Sequence, residues 1–230
     1  MLGYYDYTVV LTYLSLLSAG TGIFVSLSGN GHPYWGVIFL LFCGLCDAFD
    51  GKVARTKADR TQMHMNYGIQ IDSLPDLVAF GVLPACIGMA MLRLSPTVEM
   101  IIDKCTQSWQ RILFIGVLGT IMVLYILAAM IRLAYFNVTE EKRQKTEGGA
   151  RKFYTGLPVT SASLIFPFVM LLQYVIPADI TVVYFATAII TGFAFLSKMK
   201  IKKPGLKGIL IMVGIGAIEC VLVILGETLK

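Results

Sequence analysis

Residues 34–55 read YWGVIFLLFCGLCDAFDGKVAR, an apolar run that ends in two aspartates and a basic tail. A helix that spans a bilayer needs about 20 mostly apolar residues, because lipid cannot satisfy backbone N–H and C=O groups. The run therefore predicts a transmembrane helix whose carboxylates lie at the membrane edge. Similar apolar runs fill most of the chain, and we predict seven spans, at 8–27, 34–50, 69–92, 112–136, 158–176, 180–196 and 208–225.

The composition favours a membrane protein over a soluble one. Of the 230 residues, 57% are hydrophobic and only 14% are charged, whereas soluble domains carry about 25% charged residues. The mean hydropathy is +0.75. We therefore expect an all-α polytopic membrane protein in which residues 1–230 form a single membrane domain. Its long polar connections are predicted at 51–68 and 137–157.

The net charge of +5 raises nucleic acid as a partner, but the distribution of the charges favours another interpretation. If the N-terminus is cytosolic, 15 of the 19 Lys and Arg residues fall in loops on the cytosolic side. An excess of basic residues in cytoplasmic loops sets the orientation of a membrane protein and attracts anionic headgroups. We therefore expect membrane lipids as partners, and no nucleic acid.

Four aspartates form two pairs at the predicted membrane edge. Asp47 and Asp50 are three residues apart at the end of the second span, and Asp72 and Asp76 are four apart at the start of the third. These spacings place each pair on one helical face. An all-oxygen cluster without His or Cys suits a hard divalent cation such as Mg²⁺ or Mn²⁺. The alternative is that the aspartates cap helices and pair with nearby basic residues.

Small residues follow the second aspartate. Gly51 and Ala54 leave one helical face close to bare backbone, so a ligand or another helix can approach it. Arg55, one turn beyond Gly51, can place its guanidinium on phosphate oxygens. The segment is typical of a phosphate-binding site, although a helix contact beside an orienting arginine is an alternative.

These residues together resemble the signature of the CDP-alcohol phosphotransferases. That family carries Asp-x2-Asp-Gly-x2-Ala-Arg and then Gly-x3-Asp-x3-Asp, and every fixed position is filled here, by Asp47, Asp50, Gly51, Ala54, Arg55, Gly68, Asp72 and Asp76. The resemblance implies a six-helix core at about 8–198, with the span at about 208–225 as an addition. It also implies a homodimer in the cell membrane, with its active site facing the cytoplasm.

Three further segments, 72–85, 132–137 and 153–158, resemble the phosphatidylserine synthases of that family. This likeness implies transfer of the phosphatidyl group from CDP-diacylglycerol to the hydroxyl of L-serine, with release of CMP.

The resemblance also implies roles for individual residues. The four aspartates would bind two Mg²⁺ or Mn²⁺ ions, and Asp76 would in addition be the general base that takes the proton of the acceptor hydroxyl. The CDP-diacylglycerol site would be formed by Gly51, Ala54, Arg55, Thr12 and Ser15. The carboxylate of serine would be bound by Arg132 and Lys152.

The sequence departs from the family pattern in three places. Twelve residues, rather than about eight, separate Arg55 from Gly68, which adds about one helical turn beside the nucleotide. Thr12 and Ser15 stand where relatives often carry Asn and Thr. Pro75 removes a backbone donor from the third span, so we predict a kink there.

Other functions compete with this hypothesis. The same chemistry with glycerol-3-phosphate or inositol phosphate needs more cations, which the basic connection at 137–157 can supply. A secondary transporter also uses membrane acids, but transporter sites lie near the midplane between repeated halves, and the sequence shows no such halves. A prenyltransferase needs a second Asp-rich motif downstream, and after Asp103 the chain has only Asp179.

Overall fold

The fold is an antiparallel assembly of helices, taken from a computed structural model that describes residues 3, 5–29, 32–57, 59, 61–146, 153–176 and 178–228. The helices are α1 (Val10–Leu27), α2 (Pro33–Ala54), α3 (Gln62–Asp76), α4 (Leu83–Met91), α5 (Pro96–Lys104), α6 (Ser108–Thr146), α7 (Ala162–Leu171), α8 (Thr181–Leu196) and α9 (Leu206–Thr228). A π-helical segment, Leu77–Val82, joins α3 to α4, and short 3₁₀ turns, Val159–Ser161 and Leu172–Tyr174, flank α7.

The prediction of an all-α polytopic membrane protein is confirmed. Each of the seven predicted apolar segments is helical. Among the described residues, four helical segments are long and apolar enough to cross a membrane, and two shorter apolar helices accompany them; the four are Val10–Leu27, Asn66–Met91, Ser108–Arg143 and Leu206–Gly226. Large apolar side chains such as Phe24 and Phe193 are exposed, so the protein is an integral membrane protein whose outer surface contacts lipid.

The packed centre is aromatic and fixes the helices relative to one another. The rings of Phe166 and Tyr184 lie 4.8 Å apart, and Tyr125 meets Phe166 edge-on at 5.5 Å. Both tyrosine hydroxyls donate to backbone carbonyls, Tyr125 to Phe80 at 2.6 Å and Tyr184 to Pro84 at 2.7 Å. Because a buried hydroxyl without a partner is costly, these bonds tie α6 and α8 to the segment that follows α3.

The helix that carries Asp72 and Asp76 is continuous at Pro75. The α3 helix extends through the proline to Asp76, and the departure from α-helical hydrogen bonding follows directly, in Leu77–Val82. There the N–H of Leu83 donates to the carbonyl of Val78, five residues back. The departure from α-helical hydrogen bonding next to the predicted kink is therefore a π-helical segment that follows Asp76, and such segments are frequent at functional sites.

The loops meet at two ends of the helix assembly. At one end, which we call the site end, α2 ends, α3 begins, and strand β1 (Phe153–Thr155) pairs antiparallel with β2 (Lys200–Lys202). At the opposite end, the Arg93 guanidinium donates to the carbonyls of Leu27 and Ser28, both at 3.1 Å. The predicted basic connections thus lie together at the site end.

Both predicted polar connections are shorter than expected. The α2 helix continues to Ala54 and α3 begins at Gln62, so the first connection is limited to 55–61. The first part of the connection predicted at 137–157 is helical, because α6 continues to Thr146. At 39 residues and 1.5 Å per residue, α6 is about 58 Å long, which exceeds the hydrocarbon core of a bilayer. The strand pair and the short helix α5 were not predicted.

Candidate active site

The two aspartate pairs lie on α2 and α3 at the site end. Asp47 and Asp50 occupy the last two turns of α2, and Asp72 and Asp76 the last two turns of α3. Asp50 and Asp76 are buried, with 7% and 9% of their surface exposed, and the other two are half-buried. The helical spacing in the sequence therefore does place four carboxylates in one region of the protein.

The four side chains are close enough to interact. The carboxyl groups of Asp50 and Asp72 are near neighbours across α2 and α3 and interact electrostatically, and the N–H of Gly51 donates to Asp50 Oδ1. Asp76 interacts electrostatically with the other three carboxylates. None of the four forms an ion pair with Lys or Arg among the residues that the structure describes, so the alternative of aspartates neutralised by the basic loop is not observed there.

A cavity of about 300 Å³ opens beside these carboxylates. It is bounded by the start of α1, the end of α2 and the middle of α3, through Thr8, Val9, Thr12, Asp50, Gly51, Ala54, Arg55, Gly68, Ile69, Ile71 and Asp72. The guanidinium of Arg55 lies over Gly51, 3.5 Å from the position that a Cβ would take there. The missing side chain of Gly51 therefore leaves a space above the backbone, and the cationic group of Arg55 covers part of that space.

A larger cavity, of about 430 Å³, lies at the opposite end, between His32, Tyr34, Met91, Gln173 and Asp179. Its carboxylate, Asp179, already accepts hydrogen bonds from Ser95, Thr97 and Thr181. The cavity at the site end is smaller, but it is the one that borders the carboxylate cluster, and we take it as the functional one.

Comparison with known proteins identifies the family. A model of the CDP-alcohol phosphatidyltransferases matches residues 8–197, which is most of the chain. The chain belongs to the CDP-alcohol phosphatidyltransferase family. The last helix, α9, lies outside the match.

Curated relatives of this chain carry related names. The chain is 29% identical over 163 residues to a CDP-diacylglycerol–serine O-phosphatidyltransferase of Saccharomyces cerevisiae, covering 66% of this chain and 50% of that protein. It is 34% identical over 152 residues to an archaetidylserine synthase of Methanothermobacter thermautotrophicus, covering 66% and 53%. A CDP-diacylglycerol–serine O-phosphatidyltransferase of Mycobacterium bovis is 25% identical over 154 residues, covering 67% and 45%. The chain thus spans about half the length of the curated relatives it matches.

The CDP-alcohol phosphatidyltransferases use divalent metal ions in general, and the donor set here fits such ions in kind. Four carboxylates supply the oxygen ligands that Mg²⁺ and Mn²⁺ prefer. Within the described part of the chain, however, no three His, Cys, Asp or Glu side chains converge as the ligands of one ion. The chemistry of the cluster fits a metal, whereas the ligand geometry is not formed in this structure.

The two residues predicted on α1 occupy different places relative to the cavity. Thr12 lines the cavity and is buried, as the sequence interpretation requires. Ser15 is buried one turn further along α1 and is not among the lining residues. Its backbone carbonyl accepts a hydrogen bond from the thiol of Cys43 at 3.3 Å, so Ser15 borders α2 rather than the cavity.

Arg132 is a buried residue on α6, with only 5% of its surface exposed. Its Nε donates to the carbonyl of Leu157 at 3.2 Å, and its guanidinium lies 5.5 Å from the centre of the Phe136 ring. It is not among the residues that line the cavity. Lys152, the other residue predicted at the serine site, lies outside the described residues.

The structure adds residues that sequence reasoning missed. Asn137 Nδ2 donates to Ser73 Oγ at 2.7 Å, which joins α6 to α3 next to Asp72. Thr8 and Val9 form one side of the cavity. The only sequence signal for Asn137 was its position in the segment 132–137, and the N-terminal residues gave none, because their proximity to α2 and α3 depends on the tertiary fold.

Proposed function

We propose that this protein is a CDP-diacylglycerol–serine O-phosphatidyltransferase, which transfers the phosphatidyl group to the hydroxyl of L-serine and releases CMP. The observation that carries the proposal is that six of the eight fixed motif residues line one cavity beside the buried carboxylates. The names of the relatives support serine as the acceptor, since both kinds of name refer to it.

The nucleotide end of the lipid would occupy the cavity. Gly51 and Ala54 present a face of backbone to a flat base or to phosphate oxygens, and Arg55 supplies a guanidinium fork for the diphosphate. Thr12 lines the same cavity, and its hydroxyl can donate a hydrogen bond to the nucleotide. Ser15 would support the site from the helix turn behind Thr12, without lining the cavity. The apolar outer surface of the helices leaves the acyl chains in the bilayer, so the lipid is not extracted into water.

Asp47, Asp50, Asp72 and Asp76 are the residues that would hold Mg²⁺ or Mn²⁺, as two ions. Metal bound there would neutralise charge on the transferring phosphoryl group and stabilise departing CMP. The buried carboxylates do not form ion pairs with Lys or Arg in the described part of the chain, and buried charges of one sign need compensation. That need is what supports a cation site.

Asp76 would accept the proton of the serine hydroxyl. It is the last residue of α3, and the π-helical segment that follows it is fixed by the bond from Tyr125 to the carbonyl of Phe80. A positioned carboxylate base contributes about 10²–10⁴-fold to a proton transfer. Its burial excludes bulk water, which would otherwise compete with serine for the phosphatidyl group.

Arg132 and Lys152 would bind the carboxylate of serine. The buried guanidinium of Arg132 has fixed surroundings, with Leu157 on one side and Phe136 on the other. Arg132 is on the same helix as Asn137, which contacts Ser73 beside the carboxylates. This continuity of α6 is what supports its role near the acceptor.

The orientation of the protein in the membrane is inferred from the distribution of its basic residues. The site end carries the basic connections, and the positive-inside rule directs them to the cytoplasm, so the active site would face the cytoplasm from the cell membrane. Residues 1–230 would act as one membrane domain, and we propose a homodimer on the family resemblance.

Release of CMP from CDP-diacylglycerol by the purified chain in mixed micelles tests this function. With L-serine as the acceptor, CMP and phosphatidylserine should form in equal amounts. The panel of acceptors should also include glycerol-3-phosphate and inositol phosphate. A preference for a phosphorylated acceptor would refute serine while keeping the chemistry. No CMP with any acceptor would refute the enzyme and favour the transporter alternative.

A substitution at Arg132 tests the acceptor site in the same assay. Arg132→Ala should raise the KM for serine and leave the KM for CDP-diacylglycerol unchanged, because a lost carboxylate partner weakens ground-state and transition-state binding alike. Arg111→Ala, an exposed arginine at the other end of the same helix, is the matched control. An unaltered serine KM in Arg132→Ala would return that residue to a purely structural role.

A further inference from the structure

The N-terminal segment contacts the connection between α2 and α3 through one carboxylate. Asp6 Oδ2 lies 2.5 Å from Lys57 Nζ and 3.3 Å from His64 Nε2. Lys57 follows α2 and His64 is in the first turn of α3, so residues more than 50 positions away in the chain meet Asp6. We call Asp6, Lys57 and His64 the Asp6 clamp.

The other oxygen of the same carboxylate orders the start of α1. Asp6 Oδ1 accepts a hydrogen bond from the backbone N–H of Thr8 at 3.0 Å and another from the Thr8 hydroxyl. The next residue adds a contact of its own, since the hydroxyls of Tyr7 and Thr56 lie 3.2 Å apart. One short segment thus joins the beginnings of α1 and α3 to the end of α2.

These three elements are the ones that bound the cavity at the site end. Thr8 lines it two residues after Asp6, and Arg55 lines it two residues before Lys57. The α3 residue Gly68 lies one turn after His64. The clamp therefore lies immediately outside the cavity. Each of the three clamp residues belongs to, or lies next to, one of the three chain segments that bound the cavity.

The members of the clamp are partly or almost fully shielded from solvent. The side chains of Asp6 and Lys57 are 24% and 28% exposed, and that of His64 only 5%. The hydrogen bond from the Lys57 ammonium, followed by that from Thr8, holds the pKa of the Asp6 carboxyl well below its usual range. The carboxylate is thus ionised at neutral pH, and charge-assisted hydrogen bonds of this kind are stronger than neutral ones.

We infer that the Asp6 clamp positions the end of α2 and the start of α3 beside the nucleotide cavity and so sets the affinity for the CDP headgroup. The connection between these two helices is 55–61, because α3 already begins at Gln62. The clamp fastens this connection at Lys57, and the start of α3 at His64, to the segment that precedes α1. The inference rests on the proposed function only in naming CDP-diacylglycerol as the ligand of the cavity.

Asp6→Asn tests the clamp without removing the turn at Thr8, because the amide oxygen still accepts from the Thr8 N–H. The KM for CDP-diacylglycerol should rise about 2–5-fold, the scale of an ion pair with this exposure, while kcat and the KM for serine change less than twofold. Lys57→Met should give the same result, and Lys57→Arg should restore the wild-type KM. The double variant should be no worse than either single one, since both remove one interaction.

The control is Glu140→Gln. Glu140 pairs with Arg143 on α6 at 2.6 Å with similar exposure, so the change removes a comparable ion pair away from the cavity. It should leave the KM for CDP-diacylglycerol unchanged. Unchanged KM values in both Asp6→Asn and Lys57→Met, or an additive double variant, would overturn the inference.

Amide hydrogen exchange of residues 56–67, measured by mass spectrometry in micelles, is a readout that does not depend on activity. Exchange should be faster in Asp6→Asn and Lys57→Met than in the wild type and in Glu140→Gln. Equal exchange in all four proteins would refute the clamp even if the enzyme is active. If exchange is faster in Asp6→Asn and Lys57→Met but the wild type releases no CMP, the proposed function is refuted. The clamp would then be shown only to hold the loop in place.

Discussion

Gly156→Ala should destabilise the protein and disturb the surroundings of Arg132. Gly156 is buried and has a φ of +78°, a left-handed conformation that costs a residue with a Cβ about 1–2 kcal/mol. A Cβ there would also lie 2.7 Å from the carbonyl oxygen of Phe195 and 2.8 Å from that of Ser197. Overpacking of this kind costs about 1–3 kcal/mol, so the expected loss of stability is about 2–5 kcal/mol.

The consequence for function follows from the neighbouring contacts. The N–H of Gly156 donates to the carbonyl of Met199 at 2.7 Å, and the next carbonyl, of Leu157, accepts from Arg132. Since backbone atoms at the end of α8 cannot move aside easily, the 156–157 segment must shift instead. We therefore expect the KM for serine to rise, as in Arg132→Ala, while the KM for CDP-diacylglycerol stays within twofold.

Thermal unfolding in detergent measures the first effect. With about 2–4 °C per kcal/mol for a chain of this size, the midpoint should fall by roughly 4–20 °C. Gly205→Ala is the control, because Gly205 has no positive φ and nothing lies within 4 Å of its Cβ position. Should Gly156→Ala unfold at the same temperature as Gly205→Ala, the left-handed turn and the packing against α8 described here would be wrong.

Three other predictions concern the carboxylates and the membrane. A chelator should abolish CMP release, and Mg²⁺ or Mn²⁺ should restore it. Asp47→Asn and Asp72→Asn should each lower metal affinity and turnover together. Full activity in metal-free buffer would refute the cation site. Asp76→Asn should cut turnover by about 10² or more with metal and CDP-diacylglycerol binding largely retained, and a loss of metal affinity equal to that of Asp72→Asn would make it mainly a ligand. Cysteines introduced at Lys57 and Lys104 should be labelled from opposite faces of the membrane, and labelling from one face would contradict the topology.

The sequence predicted the helices well because hydropathy is a local property. A run of apolar residues in a bilayer must satisfy its own backbone, and a helix is the solution within one segment. The ends of the helices were less predictable. The α6 helix continues to Thr146 through charged residues, because a helix that has left the membrane still gains one hydrogen bond for each residue added.

The proline rule predicted an irregular helix at Pro75 but not the type of helix that follows it. Proline removes one donor from the ladder, as expected, but the residues around it keep helical dihedral angles. The ladder adapts by one π-helical segment, and the Tyr125 hydroxyl binds a carbonyl within that segment. Packing against α6 thus accompanies a change of helix type that the sequence alone could not place.

The sequence by itself determined that this is a helical membrane protein and predicted the eight spaced residues of the candidate site. The spacing is enough for that, because residues three or four apart share a helical face whatever the rest of the chain does. Only the tertiary structure decided which α1 residue reaches the cavity, that Arg132 is buried against Leu157, and that Asp6 meets Lys57 and His64. These contacts join residues far apart in the chain, and they depend on how whole helices pack rather than on the pattern within any one of them.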